Sequence, residues 1–493
     1  MFNKVLPEQV GIKSEWIESF ITKLNTIGLP MHDVVIMRGY DIFCEAFWKP
    51  YNKDCLHRQY SQTKSFVSLA IGLLEEEKKL NLNDKICNYF KDEIKVPMHP
   101  YLKELTIEDM LKMTTCGQAP YWFYDDNKDR SNAYFNNNNT THPSNTSWAY
   151  ESKGSQDLCE LVEKLAKMPL LDYLKEKIFN DIGAFKNAKT LTVPTGETWG
   201  DSSLICSPYD MLVAGKLVMN YGTFKGKRYL NEDYLKKATS PLVDCNDLGH
   251  MASDSFGYGY QIWCFRNNSF GFSGMGQQFT ICNPEKDIVL VCNSDIQGSH
   301  YNYNTLINYF FDEIVEKIDK DNLKENKKAN KRLNNLLKSL KLYSLKGKTD
   351  SPIKEFINNK TYLVINKNST GITKFSIKFN KNGGILSYTN AQGKKKLPFK
   401  FNENLYGKFP QLGYNNQVGG VPTTDGFMFN CATSACFATP NKLKIFVQII
   451  DEYLGNATFN FNFKENYCYL IIRKCAEGFL DEYYGEVLAE IKW

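Results

Sequence analysis

The chain has 493 residues, of which 42% are apolar and 23% are charged, and its formal net charge is +5. This is the composition of an ordinary globular protein that is long enough for two or three domains, and the small charge gives no reason to expect nucleic acid as a partner. No run of about eighteen apolar residues argues for a membrane span, and the N-terminus lacks the apolar core of a signal peptide. We therefore expect a cytoplasmic protein.

Fourteen cysteines are scattered along the chain without a Cys-x-x-Cys pair. Without an export signal, reduced thiols are the better interpretation, and Cys282 and Cys292 lie in apolar runs that are typical of a core. No cluster of cysteine and histidine has metal-ligand spacing. We therefore expect neither a metal nor a cofactor.

The first part of the chain alternates strand and helix patterns. Apolar runs at 34–37 and 42–44 predict a β-hairpin. The segment 66–74 is almost unbroken apolar sequence and predicts a buried helix that begins near Ser61. A capping box at Thr106–Asp109 predicts a helix that ends at Gly117.

The middle of the chain continues this alternation. The Asn-rich region 121–147 predicts a long polar loop. Ser207 followed by Pro208 predicts the N-cap and first position of a helix. Further helices are predicted at 157–168, 170–179, 208–219 and 307–318, and strands at 260–263, 278–282 and 288–292.

The last third of the chain has a different character. The Lys-rich stretch 321–350 predicts a solvated helical linker, in preference to a basic patch for an acidic partner. Alternating patterns in 351–493, such as Phe459, Phe461 and Phe463, predict an antiparallel β-barrel or sandwich without a catalytic grouping. The loop 413–420 is a speculative candidate for reaching a cleft in the first domain.

Ser61 and Lys64 stand three residues apart at the start of the predicted buried helix, so their side chains share one face. A serine hydroxyl needs a neighbouring base to become a nucleophile, and a lysine serves when burial or a nearby cation lowers its pKa. A buried lysine is costly unless it has a partner or a chemical task. Alone, the pattern is weak, because Ser-x-x-Lys also arises by chance.

Two further motifs are Tyr150-Glu151-Ser152 and Phe272-Ser273-Gly274. The order and surroundings of the three motifs resemble the serine β-lactamase and penicillin-binding-protein superfamily, above all its class C β-lactamase, esterase and D-aminopeptidase branch. The resemblance covers roughly residues 5–315, and its flanks include LPEQVGIKSEWI, LTIEDMLKMTTCG and YGYGYQIW.

The resemblance implies an α/β (α+β) domain over 1–320, in which an antiparallel sheet is flanked by helices and joined by an all-helical subdomain. It also implies a serine hydrolase that cleaves an ester or amide through an acyl-enzyme. The substrate would be a small molecule or peptide with an acyl group, with β-lactams and D-amino-acid peptides among the candidates. We do not expect the protein to bind a membrane. A homodimer remains a possible assembly.

The resemblance also implies residue roles. Ser61 would be the acylated nucleophile, and Lys64 and Tyr150 would be the acid and base groups. Ser152 would hydrogen-bond the Lys64 ammonium. The main-chain N–H groups of Ser61 and Met275 would bind the oxyanion.

The third motif departs from the family. Phe272, Ser273 and Gly274 would line the substrate, and Gly274 would let it lie against the strand edge. The motif usually begins with lysine or histidine, which can receive a substrate carboxylate, but Phe272 stands at that position. A phenyl ring cannot bind a carboxylate by charge, so the sequence favours an ester or amide with a neutral or differently charged acyl group.

Three alternatives were weighed. A Ser-His-Asp triad with His57 or His142 is disfavoured because Ser61 lacks a G-x-S-x-G elbow. A catalytically silent binding or regulatory protein of the same fold is kept open by Phe272, although Ser61, Lys64 and Tyr150 argue against it. A scaffold protein would leave the buried lysine unexplained.

Overall fold

The computed structural model describes residues 2–117, 129–136, 140–245, 255–297, 304–318, 322–412, 428–475 and 482–491. The chain divides into two compact units, of which the first ends at Lys341 and the second begins at Leu342. None of the described helices is long and apolar enough to cross a membrane.

An eight-stranded sheet forms the centre of the first unit. All neighbouring strands pair antiparallel except β1 and β3, and the strand order is β1-β3-β2-β12-β11-β10-β9-β8. The predicted hairpin is confirmed as β2 and β3. The strands of this sheet are β1 (Asn3–Lys4), β2 (Met31–Arg38), β3 (Asp41–Phe47), β8 (Ser255–Tyr258), β9 (Trp263–Phe265), β10 (Ser269–Gly274), β11 (Gln278–Asn283) and β12 (Ile288–Ser294). Two short strand pairs are separate from it: β4 (His57–Arg58) pairs with β5 (Ile205–Cys206), and β6 (Thr223–Phe224) pairs with β7 (Lys227–Arg228).

Helices cover this sheet and form two hydrophobic cores. One core includes α2 and α9, and the other includes α1 and α11. The predicted buried helix is confirmed, because every residue of α2 from Gln62 to Leu74 is buried. The helices are α1 (Ser14–Thr26), α2 (Gln62–Glu76), α3 (Pro100–Glu104), α4 (Ile107–Leu111), α5 (Arg130–Phe135), α6 (Ser152–Ala166), α7 (Leu170–Leu174), α8 (Asn180–Ile182), α9 (Pro208–Met219), α10 (Glu232–Ala238), α11 (Thr305–Glu313) and α12 (Lys327–Ser339).

Local backbone conformation explains where predicted bounds were wrong. The Thr106–Asp109 capping box is present, but α4 ends at Leu111 because Met113 adopts a positive φ of 57°. The strand predicted at 260–263 begins only at Trp263, since Gln261 has a φ of 58°. Such left-handed conformations interrupt both helices and strands. The cap predicted at Ser207 is confirmed, with its hydroxyl accepting from the N–H of Asp210.

The second unit is a closed β-barrel, which confirms the barrel alternative over the sandwich. Nine strands close because β16 pairs with both β15 and β18, and β17 extends the sheet beyond β18. Phe459, Phe461 and Phe463 all point into its core, as their alternation predicted. Its elements are α13 (Lys354–Ile357), β13 (Thr361–Val364), β14 (Lys374–Asn380), β15 (Gly383–Asn390), β16 (Gly393–Phe401), β17 (Leu405–Leu412), β18 (Met428–Thr439), β19 (Lys442–Ile449), β20 (Asn456–Lys464), β21 (Tyr467–Cys475) and β22 (Gly485–Ile491).

The Lys-rich stretch contains helix α12, which belongs to the first unit. Arg332 pairs with Glu18 of α1 at 3.0 Å, and Asn330 donates to Glu8. The loop 413–420 and much of the predicted loop 121–147 lie outside the described residues.

Candidate active site

The chain turns sharply just before Ser61. Tyr60 has a φ of 49°, a conformation that is strained for a bulky residue, and its side chain is buried. The main-chain oxygen of Tyr60 accepts a hydrogen bond from Thr63 Oγ1 at 2.6 Å. The turn therefore places Ser61 at the N-cap of α2, where the helix dipole favours a developing negative charge.

Lys64 lies beside this serine. Its Nζ is 3.1 Å from Ser61 Oγ and donates to the main-chain oxygen of Asp201 at 2.8 Å. The side chain is 1% exposed. Burial lowers the pKa of Lys64 to about 8, against the opposing effect of the Asp201 carboxylate. A substantial share of this lysine is therefore a neutral amine at mildly alkaline pH.

Tyr150 completes a three-residue cluster. Its ring centroid is 5.2 Å from Lys64 Nζ, and its phenol shares a hydrogen bond with Ser61. The ring stacks on Trp263 at a centroid distance of 5.7 Å. Burial raises the pKa of the Tyr150 phenol, and the hydrogen bond with Ser61 only partly offsets this effect. The phenol is therefore a neutral hydrogen-bonding group, so the cluster favours Lys64 as the base.

Ser152 lies at the first position of α6, two residues after Tyr150. The expected hydrogen bond from Lys64 to its hydroxyl is absent among the described contacts. Lys64 Nζ donates instead to the main-chain oxygen of Asp201. The segment that contains Asp201 was not singled out from the sequence.

The third motif lies on β10 with its first residue turned away from the surface. Phe272 was predicted as a substrate-binding residue, but it is 0% exposed and meets Phe66 of α2 edge-on at 6.1 Å. This placement is a correction: the phenyl ring belongs to the core because β10 packs on α2. Ser273, the next residue, is 8% exposed.

Gly274 brings β10 against the residues before Ser61. A Cβ at this position would lie closer than 3.0 Å to the main-chain oxygen of Gln59, a distance that real Cβ atoms avoid. The packing of the chain itself therefore requires this glycine, in addition to any approach of substrate. Met275 follows in the turn and is half-buried.

The two main-chain N–H groups expected to bind the oxyanion donate no hydrogen bond within the described part of the chain. Neither the N–H of Ser61 nor that of Met275 has an accepting group among the described residues. Both adjoin the contact between Gln59 and Gly274. Free N–H groups near a nucleophile are what an oxyanion hole needs.

The two histidines considered for a triad lie elsewhere. His57 is buried in β4, with Nδ1 3.7 Å from Asp33 Oδ2. His142 contacts Thr141 and Ser147 through its ring nitrogens. Neither has a described contact with Ser61.

Sequence reasoning missed a buried group of charged and aromatic residues beside Lys64. Its members are Arg58, Arg130, Trp199 and Asp201. The available signal was the run TWGDSS at 198–203, in which an acidic residue stands between glycine and serines. Without the fold, nothing linked this run to Lys64.

Comparison with known proteins agrees with this fold. The β-lactamase family profile matches residues 28–305, which is more than half of the chain. The chain belongs to the β-lactamase family.

Solved structures extend the likeness. A protein provisionally assigned as a 6-aminohexanoate-dimer hydrolase, from Bacillus anthracis, is 18% identical, with 64% of this chain and 86% of that chain covered at a TM-score of 0.50. EstCE1, a hydrolase with promiscuous acyltransferase activity, is 12% identical over 61% of this chain and 98% of its own, also at 0.50. These likenesses show the β-lactamase fold of the first unit.

Proposed function

We propose that this β-lactamase-family protein is a serine hydrolase that cleaves an ester or amide by forming an acyl-enzyme on Ser61. The observation that supports the proposal most is the buried Lys64 amine at 3.1 Å from Ser61 Oγ. Burial lowers the pKa of this lysine to about 8, which provides the base that a serine nucleophile needs.

The proposed reaction has two stages. The neutral Lys64 amine accepts the Ser61 proton while Oγ bonds to the substrate carbonyl carbon, and the N–H groups of Ser61 and Met275 bind the oxyanion. Collapse of the tetrahedral intermediate expels the alcohol or amine, which takes its proton from Lys64 through the Tyr150 phenol. Water then attacks the acyl-enzyme by the same route, releasing the acid and restoring Ser61.

The core position of Phe272 narrows the substrate. In this chain the first residue of the third motif offers no positive charge and no surface. A substrate carboxylate therefore lacks the partner that lysine or histidine would provide at that position. We propose that neutral acyl groups are preferred over β-lactams and peptides that carry a carboxylate.

The test compares turnover of a neutral chromogenic ester with that of a chromogenic β-lactam bearing a carboxylate. We expect wild type to hydrolyse the ester with the larger kcat/KM and the Ser61→Ala variant to lose at least about 10³-fold. Equal turnover by Ser61→Ala would contradict the nucleophile assignment. Faster turnover of the β-lactam would contradict the substrate preference alone.

A further inference from the structure

The segment 198–203, whose Asp201 carbonyl binds Lys64, is fixed to helix α6. The main-chain N–H of Gly200 donates to Gln156 Oε1 at 2.7 Å, and Gln156 Nε2 donates to the carbonyl of Thr198 at 3.0 Å. A Cβ at Gly200 would overlap Cys159 of the same helix. The partner of the Lys64 ammonium is therefore held by buried hydrogen bonds.

Two buried arginines hold the same segment. The guanidinium carbon of Arg58 lies 4.4 Å from the Trp199 ring centroid, and that of Arg130 lies 5.4 Å from it. Arg58 Nε also donates to the carbonyl of Ser202 at 2.8 Å. Each arginine is 1% exposed, so both charges are removed from water and need compensation within the protein.

Arg130 finds a carboxylate partner in Asp201. Its Nη1 lies 3.7 Å from Asp201 Oδ2 and also donates to Gln156 Oε1 at 3.1 Å. The Asp201 carboxylate in turn acts on Lys64, whose ammonium form it stabilises. A chain of charges thus runs from Arg130 through Asp201 to the amine beside Ser61.

Other titratable groups face this chain of charges, and α6 contributes most of them. Burial raises the pKa of Glu160 to about 8 and also raises the pKa of Asp157, which favours the protonated form of both carboxyls. Among the described ion pairs, Asp201 is the carboxylate that lies within 4 Å of Arg130. The groups that face Arg130, Asp201 or Lys64 are Tyr150, Asp157, Cys159 and Glu160.

We infer that Arg130 and Asp201 are positioning residues: their ion pair holds the segment whose main-chain oxygen binds Lys64, and its charges set the pH range in which Lys64 activates Ser61. This inference rests on the proposed function. The positive charge of Arg130 offsets part of the effect by which the Asp201 carboxylate stabilises the Lys64 ammonium ion. Loss of Arg130 would therefore raise the pKa of Lys64, and loss of the Asp201 charge would lower it.

The experiment measures the rate of Ser61 labelling by a fluorophosphonate between pH 6 and 10, on the full-length chain. We expect Arg130→Gln to move the midpoint of the rising limb upward by about one pH unit and Asp201→Asn to move it downward. Arg130→Lys, which keeps the charge, should restore the wild-type midpoint. If Arg130→Gln does not fold, the near-isosteric Asp201→Asn variant decides the question.

Two controls sharpen the result. Arg332→Gln removes an arginine whose ion-pair partner is Glu18 of α1, so its midpoint should stay at the wild-type value. Glu160→Gln removes a neighbouring group whose pKa is also about 8, and the rising limb should persist in this variant.

Unmoved midpoints in both Arg130→Gln and Asp201→Asn would overturn the inference, as would loss of the limb in Glu160→Gln. A wild-type protein that is not labelled at Ser61 would instead contradict the proposed function.

Discussion

At the scale of single residues, the decisive feature is a lysine that the fold keeps away from water. Three contacts surround the Lys64 amine: Ser61 Oγ, the Asp201 carbonyl and the Tyr150 ring. Only one carboxylate opposes the effect of burial on its pKa. The base that we propose for this site is therefore a lysine and not a histidine.

The rate of Ser61 modification should depend on pH through Lys64. Because only the neutral amine accepts the serine proton, the fluorophosphonate rate constant should rise with pH through about 8 and then level off. Ser61→Ala measures the background reaction at each pH. A midpoint near 6.5, the usual range of histidine, would assign the base to another group.

Lys64 should also lower the stability of the folded protein. Its folded-state pKa of about 8 is below the usual lysine value of 10.5, so the folded state binds this proton more weakly than the unfolded state does. The cost is full below pH 8 and declines as the pH rises from 8 to 10.5. Lys64→Met should therefore be more stable than wild type at pH 7, on the order of 1–3 kcal/mol.

Urea unfolding at pH 7 and pH 10 measures this difference, which should narrow at the higher pH. Lys328→Met, at an exposed position of α12, is the control and should change little at either pH. An equal gain at both pH values would contradict the account.

At the scale of elements, the site depends on how closely β10 approaches the start of α2. Gly274 packs so tightly on the carbonyl of Gln59, two residues before the nucleophile, that a Cβ there would overlap it. Met275 follows Gly274 directly, so both residues proposed to bind the oxyanion are close in sequence to this contact. A small change in this packing should therefore lower the reaction rate of Ser61.

Gly274→Ala should force the two elements apart. We expect a loss of about 1–3 kcal/mol in stability and a fall of at least about tenfold in the Ser61 labelling rate. The matched control is Gly407→Ala on β17, where a Cβ would meet no atom within 4 Å. Wild-type labelling by Gly274→Ala would show that this contact does not position the site.

Much at this scale could be predicted from sequence because local patterns encode it. The apolar run after Ser61 gave the buried helix, and the alternation around Phe461 gave a barrel strand. The group around Asp201 could not be predicted, because Arg130, Asp201 and Lys64 are far apart in sequence and share no periodic pattern. The role of Phe272 was misjudged because a motif does not reveal which way a strand faces.

At the scale of the whole molecule, the chain has two units with separate hydrophobic cores. The first is organised around the sheet and α2, and the second around the inner face of the barrel. Units that bury their own cores commonly unfold as separate cooperative transitions.

Two core substitutions test this organisation. Phe272→Ala in β10 and Phe461→Ala in β20 each remove a ring that is 0% exposed, which costs about 3–5 kcal/mol. In calorimetry, each variant should lower a different transition. A single transition that both variants shift equally would contradict independent units.

The central claim is that Ser61 is a nucleophile activated by Lys64. Its most direct test is intact-mass spectrometry with peptide mapping after fluorophosphonate treatment of wild type, Ser61→Ala and Lys64→Met. The account predicts one adduct on wild type, located at Ser61, none on Ser61→Ala, and labelling slowed at least about 100-fold in Lys64→Met. No adduct on wild type, or equal labelling of all three proteins, would contradict it and favour a catalytically silent binding protein of this fold.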